Sequence, residues 1–428
     1  MNVSYMKPYG NIKKVNKCIS YYIGGGWGEE TPSANEIPAF VIRGTDIPNL
    51  KAGNISSCPL RFHKQNNFKN RQLMPNDIVL EVSGGSTNQP VGRSVFFKKS
   101  YVSKFNVPVI CASFCKLIRV NAEIIEPKYL YYWLEVMYTN GELGKYQIQS
   151  TGISNFQFEA FIKHAAINIP DPFVQHYVVD VLTNYDDLVE NNNRRIELLE
   201  KAAQEIYKEW FVRFRFPGYE NAKFVNGLPE GWTESRIGDV FDVTSSKRVY
   251  LADYVEHGIP FYRSKEIIQL AAGEEITEPL FITDSRYNEF KRKFGAPQLN
   301  DILITSVGTI GVSYLVYNDS FYFKDGNLTW IKSSTNKYGA IYLHRWLNMD
   351  AGRQYLLQST IGTSQSALTI ENLKKIKFLL PTQGLLQEFY EFVEPMLTEK
   401  RRLQEKTMNL KRQRDLLLPR LMSGNLEV

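Results

Sequence analysis

The same series of short sequence motifs occurs twice along the chain, in the same order and about 210 to 225 residues apart. Any single match between the halves could be chance, but six in the same order indicate an internal duplication. We therefore predict two copies of one structural plan. The matched segments are 37–47 with 259–267, 75–80 with 299–304, 91–94 with 310–313, 128–134 with 337–347, 149–152 with 358–362, and 167–170 with 378–381.

Each half follows the same order of predicted elements. It begins with short strands separated by Gly, Asn and Asp turns, such as the runs at 77–80 and 301–304. A short helix is predicted near 129–137 in the first half and near 338–347 in the second. A proline then closes the globular part, and a long helix follows. This order predicts an α+β fold with two β-rich domains, each followed by a long helix.

The second long helix carries a narrow apolar seam at alternating spacings of three and four, the period of a coiled coil. Three seam positions are polar, Lys400, Thr407 and Arg414, and such residues can fix register or partner choice. The predicted seam consists of Leu386, Phe389, Val393, Met396, Lys400, Leu403, Thr407, Leu410, Arg414, Leu417 and Leu421.

The first long helix opens at Asp171 and Pro172, an N-cap residue followed by proline at the first helical position. Two consecutive steps of four around Asn192 predict a stutter in its heptad pattern. We interpret the polar seam residues Tyr185, Asn192, Lys400 and Arg414 as candidate partner-binding residues. The predicted seam consists of Val178, Val181, Tyr185, Leu188, Asn192, Ile196, Leu199, Ala203, Ile206 and Trp210.

Each long helix has roughly 40 residues and a length of about 60 Å, which one small domain cannot bury. Because the two narrow seams match in length, we predict that the helices pack on each other. The chain order of domain, helix, domain, helix makes this pair an antiparallel coiled coil within a pseudo-twofold repeat. The alternative is that each helix packs back on its own domain.

These patterns also give the domain boundaries. The predicted segments are a first domain at 1–169, a first long helix at 170–213, a linker rich in Gly, Pro and Asn at 214–232, a second domain at 233–381, a second long helix at 382–421 and a tail at 422–428. Since the chain begins with Met and ends soon after the second helix, we expect it to be complete rather than cut from a larger fusion.

The composition narrows the class of protein. Hydrophobic residues make up 43% of the 428 and charged residues 22%, a globular balance with material for more than one core. The formal net charge of +6 permits a basic surface without establishing one. The sequence has no membrane-length apolar stretch and no signal-peptide pattern, and its four cysteines form no CxxC pair. We therefore predict a cytoplasmic protein with buried, reduced thiols.

The motifs of nucleic-acid enzymes are missing from the sequence. No segment has the Gly-rich turn and Asn-Pro-Pro-Tyr-like tetrapeptide of an amino-methyltransferase, and Asp77 and Asp301 lack the partners of a nuclease metal site. The glycine run at 24–28 lacks the Lys-Ser/Thr of a phosphate-binding loop, and we predict a flexible loop there. The five histidines have no ligand or triad spacing. We predict a chain without catalytic or metal-binding residues.

The layout resembles the specificity subunits of type I restriction-modification enzymes. The segment Gly-Leu-Pro-Glu-Gly-Trp at 227–232 is similar to the opening of a target-recognition domain in that family. The segments at 149–154 and 358–364 resemble the end of such a domain, and Leu-Leu-Leu-Pro-Arg-Leu-Met-Ser-Gly-Asn-Leu at 416–426 resembles the family's C-terminal signature. The first half lacks a clear Leu-Pro-x-Gly-Trp opening.

The resemblance implies a recognition subunit without catalysis of its own. Each domain would read one half of a split, asymmetric site in double-stranded DNA, and the helices would set the spacing. The helices would also dock two modification subunits that use S-adenosylmethionine, and restriction subunits that use ATP and Mg would join them. The chain itself would bind no cofactor. The alternatives are a coiled-coil adaptor that joins two protein partners without DNA, and a system that lacks restriction subunits.

A sequence reader needs cations for phosphates and polar groups for base edges, on loops that a rigid scaffold holds. Each candidate could instead be a solvated surface residue or part of a turn. In the first domain the candidate DNA-binding residues are Arg43, Lys51, Arg61, Lys64, Lys69, Arg71, Ser83, Ser86, Thr87, Asn88, Gln89 and Arg93. In the second they are Lys247, Arg248, Arg263, Lys265, Arg286, Lys291, Arg292, Lys293, Ser306 and Thr309.

Overall fold

A computed structural model describes residues 10–84, 89–150, 153–317, 320–360 and 366–424. The chain divides into two compact units. The first unit contains the residues up to Arg194 and those from Glu405 onward, and the second contains Arg195–Gln404. Both units mix strands and helices, so the predicted α+β class is confirmed. None of the helices in these ranges is long and apolar enough to cross a membrane.

The first unit is built around a four-stranded sheet in the order β2-β9-β5-β7 and a three-stranded sheet in the order β4-β3-β8. Strand β1 pairs with β12, and β6 extends the β10–β11 hairpin. The elements are β1 (Asn11–Lys14), β2 (Ile19–Gly24), β3 (Glu36–Ile42), α1 (Ile47–Lys51), β4 (Leu60–Lys64), α2 (Gln65–Lys69), β5 (Ile78–Glu81), β6 (Ser83–Gly84), β7 (Ser94–Phe96), α3 (Lys99–Phe105), β8 (Val109–Cys111), β9 (Cys115–Val120), α4 (Pro127–Thr139), β10 (Gln147–Ser150), β11 (Ile153–Phe156), α5 (Phe158–His164), β12 (Ala166–Ile169) and the first long helix, α6 (Pro172–Tyr207).

The second unit repeats this plan, with a sheet in the order β16-β23-β20-β21, a sheet in the order β17-β19-β18-β22 and the pair β15–β24. The predicted duplication is therefore confirmed at the level of strand order. The elements are β13 (Phe224–Val225), β14 (Leu228–Pro229), β15 (Thr233–Arg236), α7 (Ile237–Val240), β16 (Asp242–Thr244), β17 (Tyr254–Val255), β18 (Ile259–Tyr262), α8 (Ser264–Ala272), β19 (Leu280–Ile282), α9 (Asp284–Phe294), β20 (Ile302–Thr305), β21 (Ser313–Leu315), β22 (Tyr322–Phe323), β23 (Leu328–Lys332), α10 (Lys337–Asn348), α11 (Asp350–Gln358), α12 (Ile370–Lys375), β24 (Lys377–Leu380) and the second long helix, α13 (Gln383–Ser423).

The central strand of each unit is buried on both faces. In β5, Ile78 and Leu80 enter a core with residues of α4, α5 and α6, whereas Val79 enters a separate core with residues of α1 and α3. In β20, Ile302 and Ile304 join the core that includes α10, and Leu303 points to the opposite core. Successive side chains of a strand point to opposite faces, so a run of apolar residues serves two cores.

The two long helices run antiparallel within each unit. In the second unit Lys400 lies 2.6 Å from Glu200, and the rings of Trp210 and Phe389 are 5.8 Å apart. In the first unit Arg414 lies 2.9 Å from Asp186, and residues from the start of α6 share a core with residues from the end of α13. Contacts with the domains are present as well, since the same core contains residues of α4 and α5.

One part of the predicted seam of α6 is wrong. Leu188 is 52% exposed, and its neighbour Val189 is buried instead. With Leu182 and Val189 in place of Val181 and Leu188, the spacing from Val178 to Ala203 alternates four and three throughout. The predicted stutter around Asn192 is therefore absent. The N-terminus is as predicted, because Asp171 accepts a hydrogen bond from the backbone N–H of Val174 at 3.1 Å.

Candidate nucleic-acid interface

The two arginines that match across the repeat, Arg43 and Arg263, occupy equivalent positions. Nε and Nη2 of Arg43 donate to the two carboxylate oxygens of Asp46 at 2.9 Å, and its backbone N–H donates to the same carboxylate. Arg263 makes the same three bonds to Glu266, at 3.1, 2.6 and 2.7 Å. Both carboxylates are buried. Each arginine holds the first turn of a helix, and contact with DNA stays a prediction for both.

Other candidate cations of the first unit are also paired inside it. Arg93 donates to both carboxylate oxygens of Glu81, at 2.8 and 2.6 Å, and the two side chains are only 13% and 4% exposed. Lys51 pairs with Glu135, which also accepts a hydrogen bond from Ser94 at 2.8 Å. These side chains stabilise the fold of the unit, because their hydrogen-bond donors already have partners.

The remaining first-unit candidates lie at the surface or outside the described residues. Lys64, Lys69 and Gln89 are exposed, while Ser83 donates to the side-chain oxygen of Asn155 at 2.7 Å. The candidates at the tip of the predicted polar loop, Ser86, Thr87 and Asn88, lie outside the described residues.

In the second unit four of the candidates, Arg286, Lys291, Arg292 and Lys293, lie on α9. Lys291 and Arg292 are exposed, and the Lys247 ammonium lies 5.1 Å from the ring of Phe294 at the end of that helix. Ser306 is buried against Thr329, whereas Thr309 is exposed. The other cations have carboxylate partners: Lys265 with Glu278 at 2.7 Å, Arg248 with Asp325 at 3.2 Å, Arg286 with Glu289 at 3.0 Å and Asp253 at 3.4 Å, and Lys293 with Glu289 at 2.8 Å.

The glycine run at 24–28 is not the flexible loop that we predicted. The backbone N–H of Gly25 donates to the Cys115 carbonyl and that of Gly26 to the Cys111 carbonyl, both at 2.9 Å. A Cβ added at Gly25 would lie 2.1 Å from the Ala112 carbonyl oxygen, so only glycine permits this approach. The loop is fixed against the end of β8 and the start of β9.

This fixed loop forms one wall of a pocket of about 300 Å³, which we call the glycine-loop pocket. The pocket brings together two predicted residues, Lys64 and Arg71, with residues that the sequence did not single out. Its lining consists of Gly25, Gly26, Trp27, Gly28, Glu29, Glu36, Phe62, His63, Lys64, Asn67 and Arg71. Arg61 adjoins it, because its guanidinium lies 4.7 Å from the centre of the Trp27 ring and pairs with Glu30 at 2.8 Å.

The four candidate partner-binding residues lie in the seams of the long helices. Tyr185 donates to Gln413 at 3.4 Å, and Asn192 is buried. Lys400 donates to Glu200, and Arg414 to Asp186. Each of these contacts is made within one unit, so the structure gives these residues a place in helix packing. Their binding to a partner protein stays a prediction.

In each unit a carboxylate of α6 lies between a domain helix and α13. Asp186 accepts from the Tyr132 hydroxyl at 2.8 Å and from Arg414 at 2.9 Å. Glu200 pairs with Arg345 and with Lys400. Partial burial raises the pKa of Glu200, but the charges of Arg345 and Lys400 outweigh it and lower this pKa to about 2.

The described residues contain no group of His, Cys, Asp and Glu side chains suited to a metal ion. The four cysteines are buried and reduced. Burial raises the pKa of the Cys58 and Cys111 thiols to about 12, so these groups are poor nucleophiles.

Comparison with known proteins gives a consistent result over most of the chain. A family model for the type I restriction modification DNA specificity domain matches residues 60–201 and 229–408. The chain is similar to the type I restriction enzyme MjaIX specificity subunit of Methanocaldococcus jannaschii, with 30% identity over 315 residues that cover 70% of this chain and 69% of the relative. The MjaVIII specificity subunit of the same organism is 23% identical, over 82% of this chain and 80% of that one.

The fold also has a counterpart among solved structures. The S subunit of the type I restriction-modification system from M. genitalium superposes with a TM-score of 0.61 and 14% sequence identity, over 98% of both chains. At that identity the likeness concerns the fold alone.

Proposed function

The chain belongs to the type I restriction-modification DNA specificity family, and from this premise we propose that it selects the DNA sequence on which a modification and restriction complex acts. Each α+β unit would read one half of a split, asymmetric site in double-stranded DNA. One observation best supports two domains that read different DNA sequences: the units share a strand order but expose different polar residues.

The proposed division of labour is the one that membership of the family implies. Methylation would be performed by two modification subunits that bind S-adenosylmethionine, and cleavage by restriction subunits that bind ATP and Mg. The complex would act in the cytoplasm. The chain would supply sequence selection and a docking surface on its long helices, where Tyr185, Asn192, Lys400 and Arg414 remain candidates.

The DNA contacts would come from the exposed cations rather than from the paired ones. Lys64 and Lys69 in the first unit and Lys291 and Arg292 in the second are exposed and can approach phosphates. Arg43, Arg93 and Arg263 are held by buried carboxylates, and a phosphate would have to compete with those partners. The latter three are therefore weaker candidates.

The decisive experiment is co-expression of the chain with its modification subunit, followed by sequencing of the genomic DNA for methyladenine. We expect a split motif, with two short defined halves around a fixed gap. A stable complex that methylates nothing would remove the support for DNA reading. Failure to form any complex with the modification subunit would favour the adaptor alternative.

A second experiment tests the helices as a ruler. Insertion of one heptad in both α6 and α13 preserves the seam pattern and lengthens each helix by about 10 Å. We expect the gap in the methylated motif to lengthen while both half-sites keep their sequence. A change in half-site identity at constant gap would contradict the ruler.

A further inference from the structure

The glycine-loop pocket of the first unit has a polar group at its floor that is not used by the fold. His63 is only 5% exposed and lines the pocket. Its Nε2 atom is buried and has no hydrogen-bond partner among the described residues. A buried polar atom without a partner costs free energy, so its presence beside an open cavity indicates a ligand that satisfies it.

The backbone of the glycine loop lies directly against the imidazole at this floor. Gly28 has φ of +73°, a left-handed conformation that favours glycine, and a Cβ there would lie 2.5 Å from Cε1 of His63. Any side chain at position 28 would therefore collide with the imidazole. Burial lowers the pKa of His63 below its usual value, so the ring is neutral near pH 7 and can donate at one nitrogen and accept at the other.

The rim of the pocket carries both signs of charge. Lys64 and Arg71 are cationic, but Glu29 and Glu36 line the same pocket. The guanidinium of Arg71 also donates hydrogen bonds to the carbonyls of Gly24 and Asn67, at 3.0 and 2.9 Å. Two carboxylates repel a phosphate, whereas they are good acceptors for an amino group. The rim therefore favours a neutral ligand with N–H donors over an anion.

The wall of the pocket offers an aromatic surface. Trp27 remains 40% exposed although the Arg61 guanidinium covers one face of its ring at 4.7 Å. Arg61 is itself held by Glu30 at 2.8 Å, so the ring is braced from that side. A planar ligand can stack on the remaining surface, and stacking on a fixed aromatic ring is a common way to hold a base outside a duplex.

We propose that the glycine-loop pocket holds one amino-bearing nucleobase, adenine, cytosine or guanine, turned out of the DNA stack. Trp27 is the stacking surface, His63 Nε2 bonds the base at the floor, and Glu29 or Glu36 accepts from its exocyclic amino group. The volume of about 300 Å³ is enough for one base. This site rests on the proposed function, because it presupposes that the first unit binds DNA.

The second unit lacks this arrangement at the equivalent place in the fold. Strand β2 leads into the glycine loop, whereas its counterpart β16 leads into Ser245, Ser246, Lys247 and Arg248. The hydroxyls of Ser245 and Ser246 donate to backbone carbonyls at 2.9 and 2.7 Å. That loop exposes two cations and no tryptophan, so it suits a phosphate. The base pocket belongs to one half-site only.

The test uses the complete complex with its modification subunits, without S-adenosylmethionine, and duplexes that contain the methylated motif. The base opposite each motif position is replaced in turn, which creates a mismatch but keeps the motif base. The adenines that become methylated are left out of the scan, because a methyltransferase must turn out its own target base. Binding is measured by fluorescence anisotropy for the wild type, Trp27→Ala and Trp27→Phe.

We expect one mismatch in one half-site to tighten binding of the wild type roughly tenfold, because the mismatch removes part of the cost of unpairing. Trp27→Ala should lose this tightening and Trp27→Phe should keep most of it. Unchanged thermal unfolding and unchanged sensitivity to mismatches in the other half-site would show that both variants are folded.

Specific binding in which every mismatch weakens the complex, or in which Trp27→Ala keeps the tightening, would overturn the pocket and leave DNA reading intact. The absence of specific binding by the wild type would overturn the proposed function and the pocket together.

Discussion

The two units differ in the side chains that interact at the end of their central strand. In the first unit Glu81, at the end of β5, pairs with Arg93 in a nearly buried ion pair. In the second unit the equivalent residues are Thr305 and Val312, and the Thr305 hydroxyl accepts from the backbone N–H of Val312 at 3.0 Å. The same strand end can thus be stabilised by an ion pair in one unit and by a single hydroxyl in the other.

The helix turns held by Arg43 and Arg263, in contrast, are stabilised in the same way in both units. Both arginines make the same three hydrogen bonds to a buried carboxylate three residues later. Two domains that read different half-sites need not share base contacts, but they must share a scaffold. We therefore assign what the units share to the fold, and we look for sequence reading where they differ, as in the loops after β2 and β16.

The largest effect is expected at the ion pair that only the first unit has. Arg93→Ala leaves the buried carboxylate of Glu81 without its cation, and should reduce the free energy of unfolding by about 3–5 kcal/mol. Denaturant unfolding measures the loss, and hydrogen exchange locates it in the strands of the first unit.

The matched control gives the first unit the residues of the second. The double variant Glu81→Thr with Arg93→Val should recover most of the lost stability, because it removes the unpaired charge and restores a hydroxyl that the same strand end accommodates in β20. If the double variant were no more stable than Arg93→Ala, the two strand ends would not be equivalent.

The next effect should be similar in the two units, although Arg43 also donates to the Ser57 carbonyl at 2.8 Å. Arg43→Ala and Arg263→Ala each remove two charged hydrogen bonds from a buried carboxylate that retains its backbone partner, and each should cost about 2 kcal/mol in its own unit. Hydrogen exchange at 44–51 and at 264–272 would follow the two helical turns separately. A loss of DNA affinity without loss of stability in either variant would instead assign that arginine to the interface.

The sequence was sufficient for the features that depend on local pattern. Duplicated motifs predicted the repeated strand order, and Asp171 with Pro172 predicted the start of α6. The seam of α6 was predicted up to the choice between neighbouring residues, Val181 or Leu182 and Leu188 or Val189. Neighbouring apolar residues on a helix point about 100° apart, and only the packed partner decides which one is buried.

The candidate site was predicted less well, for reasons that involve distant parts of the chain. The glycine loop is fixed by carbonyls of Cys111 and Cys115, which lie almost 90 residues further along the sequence. Cation type alone also could not separate Arg93, which faces a buried carboxylate, from Lys69, which is exposed. Surface position and pairing depend on the tertiary fold.

A smaller effect is expected at the carboxylates of α6. Glu200→Gln leaves two cations, Arg345 and Lys400, without their shared carboxylate. It should cost about 1 kcal/mol, because Glu200 and Lys400 are partly exposed and screened although Arg345 is buried. Asp186→Asn should cost less, since Arg414 keeps Asp415 at 2.7 Å as a partner. Equal losses in the two variants would contradict this difference between the units.

The ion pairs of Glu200 also predict how the free energy of unfolding depends on pH. The pKa of Glu200 lies at about 2 in the folded chain, below its ordinary value of 4.5. The ionised carboxylate therefore stabilises the fold above pH 4.5, and this contribution is lost as the pH falls toward 2. The difference in unfolding free energy between the wild type and Glu200→Gln should shrink over that range, and a constant difference would show that Glu200 gains nothing from its cations.

The smallest effect on stability is expected at the exposed cations, where the units should behave alike again. Lys69→Ala and Arg292→Ala remove no ion pair given by the structure, so each should change the unfolding free energy by less than about 0.5 kcal/mol. If these side chains contact phosphates, each substitution weakens DNA binding by a similar factor for all sequences and reduces the salt dependence of affinity by about one ion. Lys265→Ala is the matched control, because that lysine is also exposed but pairs with Glu278. A change in the methylated motif, rather than in affinity alone, would place Lys69 or Arg292 at a base edge. That residue would then contribute to the difference between the sequences that the two units recognise.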